Sequence, residues 1–133
     1  MRGKSGEEHL LRDIVDVDRD RKLVVTSYSG EVNDTDVARQ IAEIKCNAPY
    51  DAEYSAITDF TAVTQFNISL DQIRRVAETE SPLSKSKRVM VAPSDVAYGT
   101  SRMFQTLASN TRPNITVVRA LSDAYQVLGI SPA

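Results

Sequence analysis

Arg88-Val89-Met90-Val91-Ala92-Pro93-Ser94 decides how this chain is read. A half-solvated strand alternates polar and apolar residues. Val89 to Ala92 does not alternate, so it reads as a strand covered on both faces, the habit of a parallel sheet. Pro93 cannot extend a central ladder, and Ser94 is a good helix N-cap. Parallel neighbours need a crossover connection, usually a helix. The stretch therefore predicts β-α units on both sides of it.

Working downstream, Val96, Met103 and Leu107 recur at helical spacing and are expected to form the core stripe of the helix that Ser94 starts. Asn114 to Val118 reads as a fifth strand. Leu121, Ala124, Tyr125 and Leu128 form a last helix, closed by Gly129 in the C-terminal capping position. Working upstream, Pro82 ends a helix that begins at Ser69. Gln72 stands three residues after Ser69, which is a capping box, and Ile68 and Ile73 are placed as a hydrophobic staple. Leu70, Ile73, Val76 and Ala77 are expected to face inward. Tyr54 to Phe60 is a third strand, with a loop from there to Ser69.

Further upstream, Asn33 caps a helix with Asp34 and Asp36 in its first turn and Val37, Ile41 and Ile44 along one face, stopped by Pro49. Leu11–Val17 and Leu23–Tyr28 flank the polar turn 18–21 and read as an antiparallel hairpin that ends at Gly30. The element order is β-β-α-β-α-β-α-β-α. It predicts an α/β fold with a mixed, mainly parallel five-stranded sheet and four helices. Residues 1–9 mix charges and glycines and read as a flexible leader, leaving residues 10–133 as a single domain.

Composition narrows the function classes. The chain has 133 residues, 41% hydrophobic and 26% charged, as a globular domain should. Its net charge of -2 lacks the basic excess with which proteins displace phosphate counterions, so no nucleic-acid partner is expected. No apolar run approaches the roughly 20 residues of a membrane span, and the first nine residues lack an apolar signal core, which points to a cytoplasmic protein. One cysteine, Cys46, and one histidine, His9, make neither a disulfide nor an ordinary zinc site. Asp16, Asp18 and Asp20 begin like a calcium loop, but Arg21 and Ser27 stand where that loop needs Gly and Glu. The glycines are scattered, so no phosphate-cradling loop is present. No cofactor or metal is expected. Lys85-Ser86-Lys87-Arg88 reads as a solvated approach to the fourth strand.

Ligands of open α/β sheets gather beyond the C-terminal ends of the parallel strands. The third and fourth strands would deliver Asp59 and Thr61, and Ser94, Tyr98 and Arg102, to one such rim. Tyr98 and Arg102 are four apart and share a helix face off the expected core stripe. These five residues are the expected surface for a protein partner or a small ligand. A ligand site under the Ser94 helix is the alternative, and a homodimer is compatible with both. An enzyme would need Asp59, Tyr98 and Arg102 to converge in one cleft.

The element order resembles the STAS domain of sulfate transporters and anti-sigma factor antagonists, and more closely the single-domain SpoIIAA-like proteins of bacteria. Three stretches carry the likeness: Leu23–Val32, Ala56–Val63 with Ile68–Ile73, and Pro93–Gln105. The closing Val118, Ala124 and Leu128-Gly129 fit it too. The resemblance implies an α/β fold with helices mainly on one side of the sheet, and a non-enzymatic regulatory or protein-interaction role in bacterial signalling. The alternative is a binding protein for a lipid, nucleotide or anion. It also implies a phosphorylation site at the start of the second helix. Here Asn67 stands where the family has an acid, Ile68 takes the phosphosite position, and Ser69, the candidate, follows.

Overall fold

The structure, a computed structural model, describes residues 14–46, 53–79 and 85–132. The leader, Cys46's side chain, Pro49 and Pro82 lie outside the described residues. In chain order the elements are β1 (Ile14–Asp18), β2 (Leu23–Asn33), α1 (Asp34–Cys46), β3 (Ser55–Asn67), α2 (Leu70–Glu78), β4 (Arg88–Val91), α3 (Asp95–Leu107), β5 (Ile115–Val118) and α4 (Leu121–Leu128). The sheet order is β1-β2-β3-β4-β5, with β1 antiparallel to β2 and the other pairs parallel. This is the expected mixed α/β architecture.

Strand alternation divides the core in two. Tyr28, Phe60, Met90 and Ile115 point to one face and pack with Ile73 and Ala77 of α2 and Ala97 and Phe104 of α3. Leu23, Ile57, Val89 and Val91 point to the other and pack with Ala124 of α4. Four parallel strands added in one direction by right-handed crossovers must carry their connecting helices on one side. Only α4, which follows the last strand, is free to cover the other. β4 is buried on both faces, as its unbroken apolar run requires.

Three expectations fail. β2 and β3 do not stop at Tyr28 and Phe60. They stay paired to Asn33 and Asn67, across register shifts between Ser27 and Ser29 and between Gly30 and Glu31. Gly30, at φ 68°, serves an irregularity within the strand instead of ending it. The anticipated loop from Thr61 to Ser69 is therefore mostly strand. Second, Val96, Met103 and Leu107 are 63%, 39% and 40% exposed. The buried face of α3 is Ala97, Ser101 and Phe104, of which the small Ala97 and Ser101 let the helix approach the sheet closely. Third, Leu70 and Leu121 open their helices facing solvent, although Ile73, Ala77 and Ala124 are buried as expected.

The turns follow local chemistry. Arg21 donates its amide to Asp18 Oδ1 (3.0 Å) and its Nε to Asp18 Oδ2 (2.7 Å), closing the hairpin turn. Asn33 and Asp36 cap α1 reciprocally, each side chain accepting the other's amide at 3.0 Å. Gly129 adopts φ 67° after α4, and Ile130 donates to the Tyr125 carbonyl (3.1 Å), a Schellman closure.

Candidate functional site

The face under α1, α2 and α3 is not filled. A cavity of about 100 Å³ lies between these helices and strands β2 to β4. Tyr28, Phe60 and Phe66 give it an aromatic wall. Tyr28 and Phe60 stack with centroids 5.4 Å apart, and Phe66 meets Phe60 edge-on at 5.1 Å. Ile41, Ile73, Val76 and Met90 supply aliphatic surface. Phe66 reaches the wall because β3 runs seven residues past Phe60, the extension that the sequence reading missed.

Polar groups interrupt this apolar lining. Arg88 opens β4 two residues before Met90, so alternation sends both side chains to the cavity face. The residue retains some exposure, but its Nε is sealed from solvent and has no hydrogen-bond partner. Nη1 donates to Thr58 Oγ1 at 3.4 Å, and no carboxylate among the described residues pairs with it. Burial, with a smaller contribution from the nearby Arg112 cation, pushes the guanidinium pKa down to about 10. Ser101 and Gln40, 1% and 2% exposed, also line the cavity. Neither Ser101 Oγ nor Gln40 Oε1 has a partner. Arg112 is held differently: its Nη1 donates to the Val76 carbonyl (2.8 Å) and its guanidinium lies over Phe104.

Arg88, Gln40 and Ser101 are not among the site residues that the sequence leads one to expect. Arg88 stands in a run that reads as solvated, although its alternation with Met90 is visible in the sequence. Ser101 and Gln40 sit on helix faces whose inward side became clear only with the packing.

The expected rim residues lie near the strand ends, on different faces of the sheet. Asp59 pairs with Val91 and shares its α4 face. Its Oδ1 accepts the Thr61 amide (2.9 Å) and hydroxyl (2.5 Å) where β3 bulges. Ser94 Oγ caps α3 by accepting the Ala97 amide (3.1 Å). Tyr98 packs against the opposite, α3-face core. Arg119 lies 4.1 Å from its ring centroid, and Arg102 donates to its Oη at 3.3 Å. Arg119 also pairs with Asp95 (3.0 Å). No hydrogen bond joins Asp59 and Thr61 to Tyr98 and Arg102. Among the described residues no group of His, Cys, Asp and Glu is placed to hold a metal, and no helix is long and apolar enough to cross a membrane.

The fold has a counterpart among solved structures. An uncharacterized DUF3478-family protein from Shewanella loihica PV-4, described as having a SpoIIAA-like fold, superposes with a TM-score of 0.57. The likeness covers 87% of this chain and 91% of that one, at 13% sequence identity. The fold is SpoIIAA-like. No family profile matches the chain, and no curated protein matches it in sequence.

In this SpoIIAA-like fold the start of α2 is tied to the start of α1. Ser69 donates its amide to Asp34 Oδ1 (2.8 Å) and its hydroxyl to Asp34 Oδ2 (2.7 Å), and Ser69 Oγ accepts the Gln72 amide (3.0 Å). The two bonds from Ser69, amide first, hold the Asp34 carboxyl below its usual range, with a smaller contribution from Arg75. Asp34 thus takes the amide that the capping box assigned to Gln72. The Gln72 side chain instead donates to the Asp34 carbonyl (3.4 Å) and accepts from Arg75 (2.9 Å). Ile68 and Ile73 join the same core, as the staple expects.

Proposed function

We propose that this chain is a non-enzymatic STAS-like binding domain whose ligand is a small molecule held in the cavity between the sheet and α1, α2 and α3. One observation carries the reading: a largely apolar cavity contains three sealed polar atoms without partners, Arg88 Nε, Ser101 Oγ and Gln40 Oε1. Buried polar groups are nearly always satisfied, by protein, water or ligand. Three exceptions lining one space suit a site built to hold a guest. A screen by thermal shift, followed by amide and side-chain NMR, tests it. Supporting compounds raise the melting temperature saturably and perturb Gln40, Ser101 and Arg88. Perturbations confined to the outer surface overturn the reading.

A second reading rests on α3. Val96, Met103 and Leu107 present apolar side chains to solvent beside the Tyr98, Arg102 and Arg119 cluster. Aromatic and arginine side chains beside apolar surface are the composition of protein-binding hot spots. Here the domain acts by docking a protein partner at the rim, with Asp59, Thr61 and Ser94 as further contacts and Ser69 as the site where a phosphate would alter the interaction. Pulldown with Tyr98→Ala and Arg102→Ala tests this. Unchanged recovery of a bound partner by both variants removes the surface.

A further inference from the structure

We infer, on the reading that the cavity is the binding site, that it selects a small organic carboxylate, with the carboxylate on the Arg88 guanidinium and Ser101 Oγ, and an apolar body against Phe60, Phe66 and Ile73.

A buried guanidinium has lost its hydration shell. Taking it out of water is expensive unless an anion and hydrogen bonds replace the hydration shell. Arg88 has one long bond to Thr58 and a sealed Nε with no acceptor. No Asp or Glu lines the cavity among the described residues. The nearest buried carboxylate on α1, Asp36, already binds Arg39 (3.3 Å) and the Asn33 amide. A second buried cation, Arg112, adds positive potential to the same region. The depressed pKa of Arg88 reports the same deficit of negative charge. The protein thus holds a cationic donor facing a space whose natural complement is negative.

Shape and surface narrow the anion. A guanidinium presents a planar fork that matches a carboxylate with two parallel hydrogen bonds. Ser101 Oγ supplies a further donor from α3 and has not bonded to its own helix, the usual fate of a buried helical serine. Most of the lining is aromatic or aliphatic, which disfavours a bare inorganic ion. A volume of about 100 Å³ approaches the ~150 Å³ of an engineered cavity that admits benzene, so the body is about one ring or a short chain. Gln40 Oε1, an acceptor, accommodates a hydroxyl on that body.

Benzoate and hexanoate are suitable probes, with benzyl alcohol as a neutral counterpart and inorganic phosphate as a bare anion. Calorimetry on the full chain is expected to show benzoate binding at least tenfold more tightly than benzyl alcohol, with no binding of phosphate. Arg88→Met is expected to lose at least tenfold in benzoate affinity while keeping or gaining benzyl alcohol. The wild-type Arg88 Nε–H resonance provides a readout that does not depend on the variant folding, and it is expected to shift on adding benzoate. Benzyl alcohol binding in the cavity without benzoate overturns the carboxylate assignment and leaves the cavity reading standing. Binding of neither ring compound nor hexanoate overturns both. Equal benzoate affinity in wild type and Arg88→Met, an Nε–H signal indifferent to benzoate, or phosphate binding as tightly as benzoate overturns the assignment.

Discussion

At the scale of single residues, Arg88 is where sequence, stability and function meet. A cation in an otherwise apolar strand face lowers stability unless something neutralises it. Replacing buried charges with well-packed apolar groups is often neutral or stabilising by about 1–4 kcal/mol. Arg88→Met is therefore expected to raise the unfolding free energy of the ligand-free protein by about 1–2 kcal/mol in urea melts at pH 7. A loss above about 1 kcal/mol would show that the guanidinium holds the fold together. The pH dependence has a definite sign. Folding lowers the Arg88 pKa from its ordinary value to about 10, chiefly through burial, so the folded state disfavours the proton. The penalty is complete well below pH 10 and fades as pH rises through 10. The advantage of Arg88→Met should accordingly begin to narrow near pH 9 and be smaller at pH 11.

Two serines on α3 make a matched comparison. Ser94 Oγ caps the helix, and Ser94→Ala is expected to cost about 1 kcal/mol. Ser101 Oγ is buried without a partner, so Ser101→Ala removes an unmet polar group and is expected to be neutral or stabilising by up to about 1 kcal/mol. Equal losses in thermal melts would mean that Ser101 has a hydrogen bond in solution, from water or from a ligand that stays with the protein.

At the scale of elements, the junction of α1 and α2 rests on Asp34 and Ser69. Both atoms of the Ser69 cap that donate do so to one carboxylate. A double-mutant cycle on Asp34→Ala and Ser69→Ala should give a coupling of about 1 kcal/mol, the worth of the hydroxyl bond, because Ser69→Ala leaves the amide bond to Asp34 in place. The Asp34 carboxyl titrates below its unfolded value, so its stabilisation is present above about pH 4 and is lost as pH falls through the lower folded value. Ser69→Glu places a second carboxylate against Asp34 and should destabilise more than Ser69→Ala, with Asp34→Asn restoring part of the loss. A Ser69→Glu variant as stable as wild type would rule out phosphate-driven loosening of this junction.

What the sequence reveals is also uneven at this scale. Every strand and helix was legible, because each is bounded by a strong local signal: Asn33, Ser69 and Ser94 at helix starts, Gly129 at an end, and Val89 to Ala92 as a doubly covered strand. Strand lengths were not. Gly30 looks like a terminator, and only its parallel pairing with Val63 shows that it sits in an irregular ladder. The buried face of α3 was misread for a related reason. Val96, Met103 and Leu107 are its more obvious apolar residues, yet close packing on the sheet favours Ala97 and Ser101. Hydrophobicity marks what gains from burial; the fit of a helix to a sheet decides which side is buried.

At the scale of the whole molecule, the two faces of the sheet are packed to different ends. Under α4 Leu23, Ile57, Val89, Val91 and Ala124 form a buried apolar cluster. Under α1, α2 and α3 a cavity remains, and Arg88 Nε, Ser101 Oγ and Gln40 Oε1 of its lining residues are unpartnered. Ile57→Ala strips a side chain that is surrounded on all sides and should cost about 3–4 kcal/mol. Met90, on the neighbouring strand but facing the cavity, already lacks partner atoms on one side, so Met90→Ala forfeits fewer contacts and should cost about 2 kcal/mol. The responses to a guest should differ as well. Ile57→Ala should keep the rise in melting temperature that a cavity ligand confers, since the sheet separates it from the site. Met90→Ala alters the wall and should change that rise, toward larger rings if the enlarged space is used. Urea melts of both variants measure the costs, and thermal melts with and without benzoate measure the ligand response. Equal costs and equal ligand responses would mean that the cavity closes in solution and that both faces of the sheet serve the fold alone.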